Sequence, residues 1–205
     1  MTYSNGWNRR IYSWWAPIYD LLIRFHPVSR VRKSAFDLAE LDSARTVLLV
    51  GAGTGVDLAF LDEQSLVIAV DLSSSMLLRT QQRSITLSRK VVCVGGDAQR
   101  LPFANDVFDR VILSLIVSVV PNPVQCLTEA VRCVAPGGRV LIVDKFQPAD
   151  RRPSVLRRII NVVTRFFGTD INRRWEVLQP EGVDVLADTR NVFPMSMRAI
   201  VLQKR

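Results

Sequence analysis

Short apolar runs punctuate the chain at residues 46–50, 66–70, 90–94, 106–115 and 139–143, with little alternation between apolar and polar positions. A strand covered by helices on both faces needs no such alternation, so these runs predict buried parallel strands. Between them, residues 34–41, 56–62, 74–83 and 124–134 read as helices. Strict alternation of strand and helix implies right-handed crossovers and an α/β, doubly wound sheet. Residues 183–192 and 197–203 read as a hairpin that closes the sheet edge antiparallel, bringing the expected total to seven strands.

Two further stretches keep a helical period but carry unusual faces. Over residues 7–25, Ile11, Tyr12, Trp14, Trp15, Ile18, Tyr19, Leu22 and Ile23 fall at spacings of three and four, opposite Arg9, Ser13, Asp20 and Arg24. Pro17 predicts a bend or restart in that helix. Its aromatic load suits either a membrane interface or a lid over a ligand, and the two roles are compatible. Over residues 151–168, Val155, Leu156, Ile159, Ile160, Val162, Val163, Phe166 and Phe167 line one side, and Arg157, Arg158, Asn161, Thr164 and Arg165 line the other. An arginine-rich amphipathic helix fits a membrane surface, and it equally fits a sheet-covering helix with a solvated basic face.

The chemistry gathers at the ends of the first four strands. The first run ends in Gly51, Ala52, Gly53, Thr54 and Gly55, where glycines at alternate positions let backbone N–H groups approach a ligand closely. A tight strand-to-helix connection with no ligand would use the same glycines. The second run ends in Asp71 and Leu72, and a carboxylate there can accept hydrogen bonds from both hydroxyls of a ribose. Asp97 and Ala98 follow the third run, and Ser114 ends the fourth. Asp57 stands just inside the helix after the glycines, a favourable place for an acid in any helix.

Size and charge narrow the classes. A chain of 205 residues with 48% apolar content fits one domain with a full core: residues 1–42 as lid and helices, 43–146 as ligand-binding core, and 147–205 as amphipathic helix and hairpin. Twenty-seven basic against 19 acidic side chains, a formal charge of +8, point to anionic partners: a phospholipid surface, a nucleic acid or an acidic substrate. Cys93, Cys126 and Cys133 lack C-x-x-C spacing, so neither a zinc site nor a disulfide framework is expected, and reduced thiols fit a cytoplasmic protein. No signal peptide is evident, and the apolar run 111–120 is about half a membrane span.

The segments VLLVGAGTG, AVDLSSSML, GDAQRLPFANDVFDRVI and RCVAPGGRVLIVD, in this order and spacing, resemble the motifs of class I S-adenosylmethionine-dependent methyltransferases over residues 14–146. The resemblance implies a Rossmann-like fold with S-adenosyl-L-methionine as cofactor. Carried over, Gly51, Ala52, Gly53 and Gly55 face its methionine part, Asp71 with Leu72 holds the ribose, and Asp97 with Ala98 sits by the adenine amine. Ser114 then lies beside the methyl to be transferred. One position departs from the pattern. The family often has Glu or Asp two residues before the first glycine, where this chain has Leu49, so the anchor of the cofactor's ammonium is missing or supplied elsewhere; Asp57 is a candidate. The same departure leaves room for a binding module without catalysis.

YSWWAPIYD resembles the N-terminal segment of soluble bacterial phosphatidylethanolamine N-methyltransferases and, more loosely, of ubiquinone and menaquinone C-methyltransferases. The implied substrate is a phospholipid amine taken at the inner membrane face, with a quinone or another small molecule as the alternative. In such relatives this segment closes over the cofactor, which makes Tyr12 and Tyr19 the lid and catalytic candidates; the lone His26, beside a proline, suits a turn or cap better than a base. Asp170, Asn172 and Arg173 suit either head-group recognition or a turn and helix cap. Nucleic-acid methylation is disfavoured, since no N/D-P-P-Y/F tetrad occurs. A dehydrogenase is disfavoured too, because Val56 takes the third-glycine place of G-x-G-x-x-G.

Overall fold

The computed structural model describes residues 28–40, 44–147, 158–159, 161–162, 164, 169–192 and 197–205. Its centre is β1 (Thr46–Val50), whose Val47, Leu48, Leu49 and Val50 are all at most 2% exposed. Burial of consecutive residues means that both faces of the strand are covered, as its unalternating sequence requires. β2 (Leu66–Asp71) and β3 (Val91–Gly95) lie parallel on one side of β1, and β4 (Phe108–Ser114) and β5 (Val134–Lys145) lie parallel on the other. β7 (Met197–Lys204) pairs antiparallel with β5, and β6 (Val183–Val192) antiparallel with β7. The order β3-β2-β1-β4-β5-β7-β6 is the expected seven-stranded sheet with its C-terminal hairpin.

The chain leaves β1 toward β2 and returns on the far side as β4. The crevice outside the carboxyl ends of these two strands is therefore where open α/β sheets bind ligands.

Helix α1 (Val28–Leu38) lays Ala35 and Phe36 on the face that carries Val47, Leu49, Val143 and Val201, with Phe36 against Phe60 at a ring separation of 5.2 Å. On the opposite face, Cys126, Leu127, Ala130 and Cys133 of α3 (Pro123–Cys133) pack on Leu48, Val111 and Ile142. Asn122 caps α3 by accepting from the Gln125 N–H at 3.1 Å, and Pro123 occupies a first-turn position where no N–H is needed. At its other end Lys204 Nζ donates to the carbonyls of Val131, Arg132 and Val134, which a helix end leaves orphaned.

Several boundaries differ from the sequence expectation. α1 starts at Val28 rather than at residue 34. The expected helix over 56–62 is a 3₁₀ turn, Val56–Phe60, which stops where Leu61 becomes extended. β5 begins at Val134, because Pro136, Gly137 and Gly138 do not end the pairing. They form an irregularity, with Phe108 opposite Val134 and Arg110 opposite Arg139. Helix α2 (Ser74–Thr86) runs three residues past its expected end, and α4 (Trp175–Leu178), which buries Trp175 against Phe146, was not foreseen.

The expected helix over 7–25, with Tyr12, Tyr19 and His26, lies outside the described residues. Of the helical segment expected over 151–168, residues 158, 159, 161, 162 and 164 are described and helical. Their faces are not those of the helical wheel: Ile159 and Val162 are 59% and 71% exposed, whereas Asn161 is buried and accepts from the Ile171 N–H at 2.8 Å. A buried amide needs a partner, and the turn at Ile171 supplies it.

Candidate functional site

The glycine turn is built as its sequence demands. Gly51, Gly53 and Gly55 all have φ between 57° and 73°, a region that costs an L side chain about 1–2 kcal/mol. At Gly55 a Cβ would also stand 3.0 Å from the Thr80 Cα, so helix α2 fixes that position twice over. A Cβ on Gly53 would meet nothing within 4 Å, which leaves that peptide facing open space. The Ala52 N–H donates to the Val70 carbonyl at 2.9 Å, and Thr80 Oγ1 donates to the Gly53 carbonyl at 2.8 Å. The turn is thus clamped from β2 and α2 while one edge remains free.

Asp71, at the end of β2, joins that turn. Its Oδ2 accepts from the Gly53 N–H at 2.8 Å and its Oδ1 from the Ser73 N–H at 2.9 Å. Burial pushes its carboxyl above the usual range, and the N–H groups of Ser73, Gly53 and Leu72 offset this in part. Two carboxylate oxygens offer about four acceptor directions. Sites therefore remain for a pair of hydroxyls. Leu72 beside it is 37% exposed, an apolar shoulder next to the carboxylate.

At the end of β3, Asp97 accepts from the Gln99 N–H at 2.9 Å and from the Gln99 side-chain amide at 3.0 Å. Gln99 Oε1 in turn accepts from the Asn122 N–H, which ties this segment to the start of α3. Ala98 is 8% exposed and packs into the core, so it offers a ligand backbone rather than surface. Ser114 ends β4 opposite Val143, 8% exposed, and its Oγ is buried with no hydrogen-bond partner.

Beyond β4 the structure shows a clamp that the sequence did not reveal. Leu115 takes a φ of +60° and turns the chain so that the Ile116 side chain lies within 2.6 Å of where a Gly51 Cβ would be. The Ser118 N–H donates to Asp144 Oδ2 at 2.8 Å. Asp144 is fully buried, and burial raises its pKa against the Ser118 bonds. From the other side Arg173 donates to the carbonyls of Val117 and Val120, and the Asp170 N–H donates to the Ser118 carbonyl at 2.8 Å. Arg173 is thus committed to the backbone of residues 117–120, and Asp170 Oδ1 caps the Asn172 N–H at 3.0 Å. Of the two readings of this stretch, the turn and cap are what the structure displays. No metal-binding cluster occurs among the described residues.

Glycine turn, Asp71 and Asp97 stand together at the carboxyl ends of β1, β2 and β3, with Ser114 at the end of β4. With the seven-stranded order, they define a class I S-adenosylmethionine-dependent methyltransferase. The chain belongs to that family, and S-adenosylmethionine is its cofactor. Residues 48–142 match the methyltransferase domain family. The chain is 33% identical over 164 residues to a phosphatidylethanolamine N-methyltransferase of Cereibacter sphaeroides, covering 78% of this chain and 77% of that one. It is 30% identical over 169 residues to the demethylmenaquinone methyltransferase of Mycobacterium tuberculosis, covering 80% of this chain and 66% of the relative. A solved SAM-dependent methyltransferase from Aquifex aeolicus shares the fold, with a TM-score of 0.59, 16% identity and coverage of 85% and 89%.

The residues present fit this cofactor. Spare acceptor sites on Asp71 suit ribose hydroxyls, the open edge at Gly53 leaves room for a ligand against the backbone, and the orphaned Ser114 Oγ marks an unsatisfied polar position where β4 ends.

Proposed function

We propose that this methyltransferase acts on a phospholipid amine of the phosphatidylethanolamine type, taken from the inner, cytoplasmic face of an anionic membrane. Most of the support comes from the similarity to the Cereibacter sphaeroides enzyme over 78% of the chain. The outward-facing Ile159 and Val162, beside the exposed Arg158 and on a chain of charge +8, suit a lipid surface. No helix among the described residues is long and apolar enough to cross a membrane, so contact would be peripheral.

In this reading Gly51, Ala52, Gly53 and Gly55 hold the methionine part, Asp71 and Leu72 the ribose, and Asp97 and Ala98 the adenine, with Ser114 near the reacting centre. S-adenosylmethionine, when bound, supplies a methyl already activated on a sulfonium. The protein's own task is to hold the acceptor in line with that methyl and exclude water. Residues 115–120, clamped by Asp144 and Arg173, would form the wall on the acceptor side. An acceptor amine must be neutral to attack, and Tyr12 and Tyr19 are assigned to the segment that closes over the site and helps remove its proton. A quinone acceptor is the second reading, favoured by the 30% identity to the demethylmenaquinone enzyme.

Methyl transfer from labelled cofactor should be measured with vesicles of phosphatidylethanolamine and anionic lipid, and separately with demethylmenaquinone in the same vesicles. Label in the phospholipid is the expected result, whereas label in the quinone alone would replace the first reading by the second. Ile159→Ser with Val162→Ser is expected to weaken vesicle binding at least about tenfold, since each buried aliphatic side chain contributes roughly 1.5–3 kcal/mol. Cofactor affinity in solution should stay unchanged in that variant.

A further inference from the structure

Arg173 is held at both ends of its length. Its backbone carbonyl accepts from the Gln147 N–H at 2.8 Å, just past the end of β5, and Trp175 beyond it packs against Phe146 at a ring separation of 5.8 Å. Its guanidinium donates through Nη1 to the Val117 carbonyl and through Nη2 to the Val120 carbonyl at 2.6 Å. The rigid, planar fork of an arginine can meet two separate carbonyls in this way, whereas an ammonium is a point charge on a flexible stem. The turn that carries Arg173 is joined in the same manner to the segment bearing Ile159 and Val162. The Ile171 N–H donates to Asn161 Oδ1 at 2.8 Å and the Thr169 N–H to the Thr164 carbonyl at 2.9 Å.

The loop that Arg173 grips has two differently anchored ends. At the near end the Leu115 N–H donates to the Val143 carbonyl at 2.8 Å, and the Val119 and Val120 N–H groups both donate to the Ile116 carbonyl. Ile116 is thus kept against Gly51 by bonds that do not involve Arg173. At the far end the carbonyls of Val117, Ser118 and Val120 all receive donors from Asp170 and Arg173. Leu115, with a φ of +60°, is a bulky residue in the left-handed region, a conformation that persists where the surroundings fix it. Val117, Ser118 and Val120 are buried. The side chains this loop leaves part-exposed are Leu115, Ile116 and Val119, all apolar.

We propose that Arg173 is a positioning residue for the methyl acceptor. Its fork fixes residues 117–120 as an apolar wall for the acceptor's hydrocarbon part, and it is not itself a ligand of an anionic head group. The proposal rests on the reading of residues 115–120 as the acceptor side of the site. What the acceptor requires at this position is then the geometry of the fork, not its charge.

Arg173→Lys, Arg173→Met and Arg174→Met test this role. Acceptor kcat/KM is measured with phosphatidylethanolamine and with demethylmenaquinone in the anionic vesicles described above, and S-adenosylhomocysteine binding by calorimetry. Arg174 is exposed and next in the chain, so its variant controls for the loss of one positive charge. Both Arg173 variants are expected to lower kcat/KM for the labelled acceptor at least about tenfold, the scale of one hydrogen bond to a charged group. Affinity for S-adenosylhomocysteine should stay within about twofold, and Arg174→Met should match the wild type. Assays run below the Tm of every variant, and Arg173→Lys, the milder change, carries the test if Arg173→Met does not fold. Wild-type kcat/KM in Arg173→Lys overturns the proposal, because charge alone would then suffice. It is equally overturned by a loss in Arg174→Met as large as in the Arg173 variants, or by a fall in cofactor affinity that matches the fall in kcat/KM. Failure of the phospholipid reading is seen separately, as label in the quinone alone, whereas a wild type that labels neither acceptor overturns the acceptor reading and this role together.

Discussion

Asp71→Ala is expected to weaken S-adenosylmethionine binding by at least about 100-fold, the largest effect on affinity of any single substitution at the site. Two losses combine. Hydrogen bonds from a ligand to a charged group are worth about 1.5–3 kcal/mol each, and a ribose offers two hydroxyls to this one carboxylate. The same side chain also holds the glycine turn through the Gly53 N–H at 2.8 Å and the start of α2 through the Ser73 N–H at 2.9 Å. Asp71→Asn separates these contributions. Its oxygen can keep the Ser73 bond, but its amide then faces the Gly53 N–H donor to donor, so the turn is disturbed even though the shape is kept. Calorimetry with each variant, beside a thermal melt to show that the fold persists, checks the order wild type, Asn, Ala.

The pH dependence has a definite sign. Because burial raises the folded pKa of Asp71 above its unfolded value, the folded state holds this proton more tightly. Ionised Asp71 therefore costs stability, and that cost is relieved as pH falls through its folded pKa. Cofactor affinity should move the other way, falling over the same range as the acceptor for the ribose hydroxyls is protonated. An affinity flat with pH down to about 4 would show that Asp71 does not accept those bonds.

The strands and the acids at their ends were legible in the sequence because their signals are local. An apolar run followed by a turn residue fixes where a parallel strand ends, so Gly51, Asp71, Asp97 and Ser114 could be placed on neighbouring strand ends before any contact was known. The misread features depend on partners far away in the chain. Pro136, Gly137 and Gly138 follow the end of the helix at Cys133, yet the pairing of Phe108 with Val134 starts the strand ahead of them, where its sequence shows only from Arg139. Asn161 looks like a solvent-facing position on a helical wheel, yet the Ile171 N–H draws it inward, and Ile159 and Val162 face outward. Arg173 reads equally as a head-group contact or as part of a turn and helix cap, and only the fold brings it to the carbonyls of Val117 and Val120.

Glu129→Ala is expected to destabilise the protein by about 3 kcal/mol, which at this chain length lowers Tm by roughly 6–12 °C. Glu129 is 8% exposed, and its two oxygens accept from Arg132 Nε and Nη2 and from the Leu101 N–H, all at 2.8 Å. Arg132 then donates to the carbonyls of Leu101 and Phe103 and to Asn105. Removing the carboxylate leaves a buried N–H and a guanidinium short of partners; the side chain of Arg132 stays 27% exposed, which keeps the cost near the low end for a broken buried pair. The Arg132 hydrogen bonds, and after them the Leu101 N–H, hold the Glu129 carboxyl below its ordinary range in spite of its burial. A depressed folded pKa gives stability that is present above the unfolded value, about 4.3, and is lost as pH falls through the folded one. Wild-type Tm should therefore drop more steeply below about pH 4 than that of Glu129→Gln, which has no carboxyl to protonate. Because this network anchors residues 101–105 next to Asp97, the alanine variant should also lose cofactor affinity, and a lowered Tm with affinity unchanged would show that Asp97 keeps its place without the network.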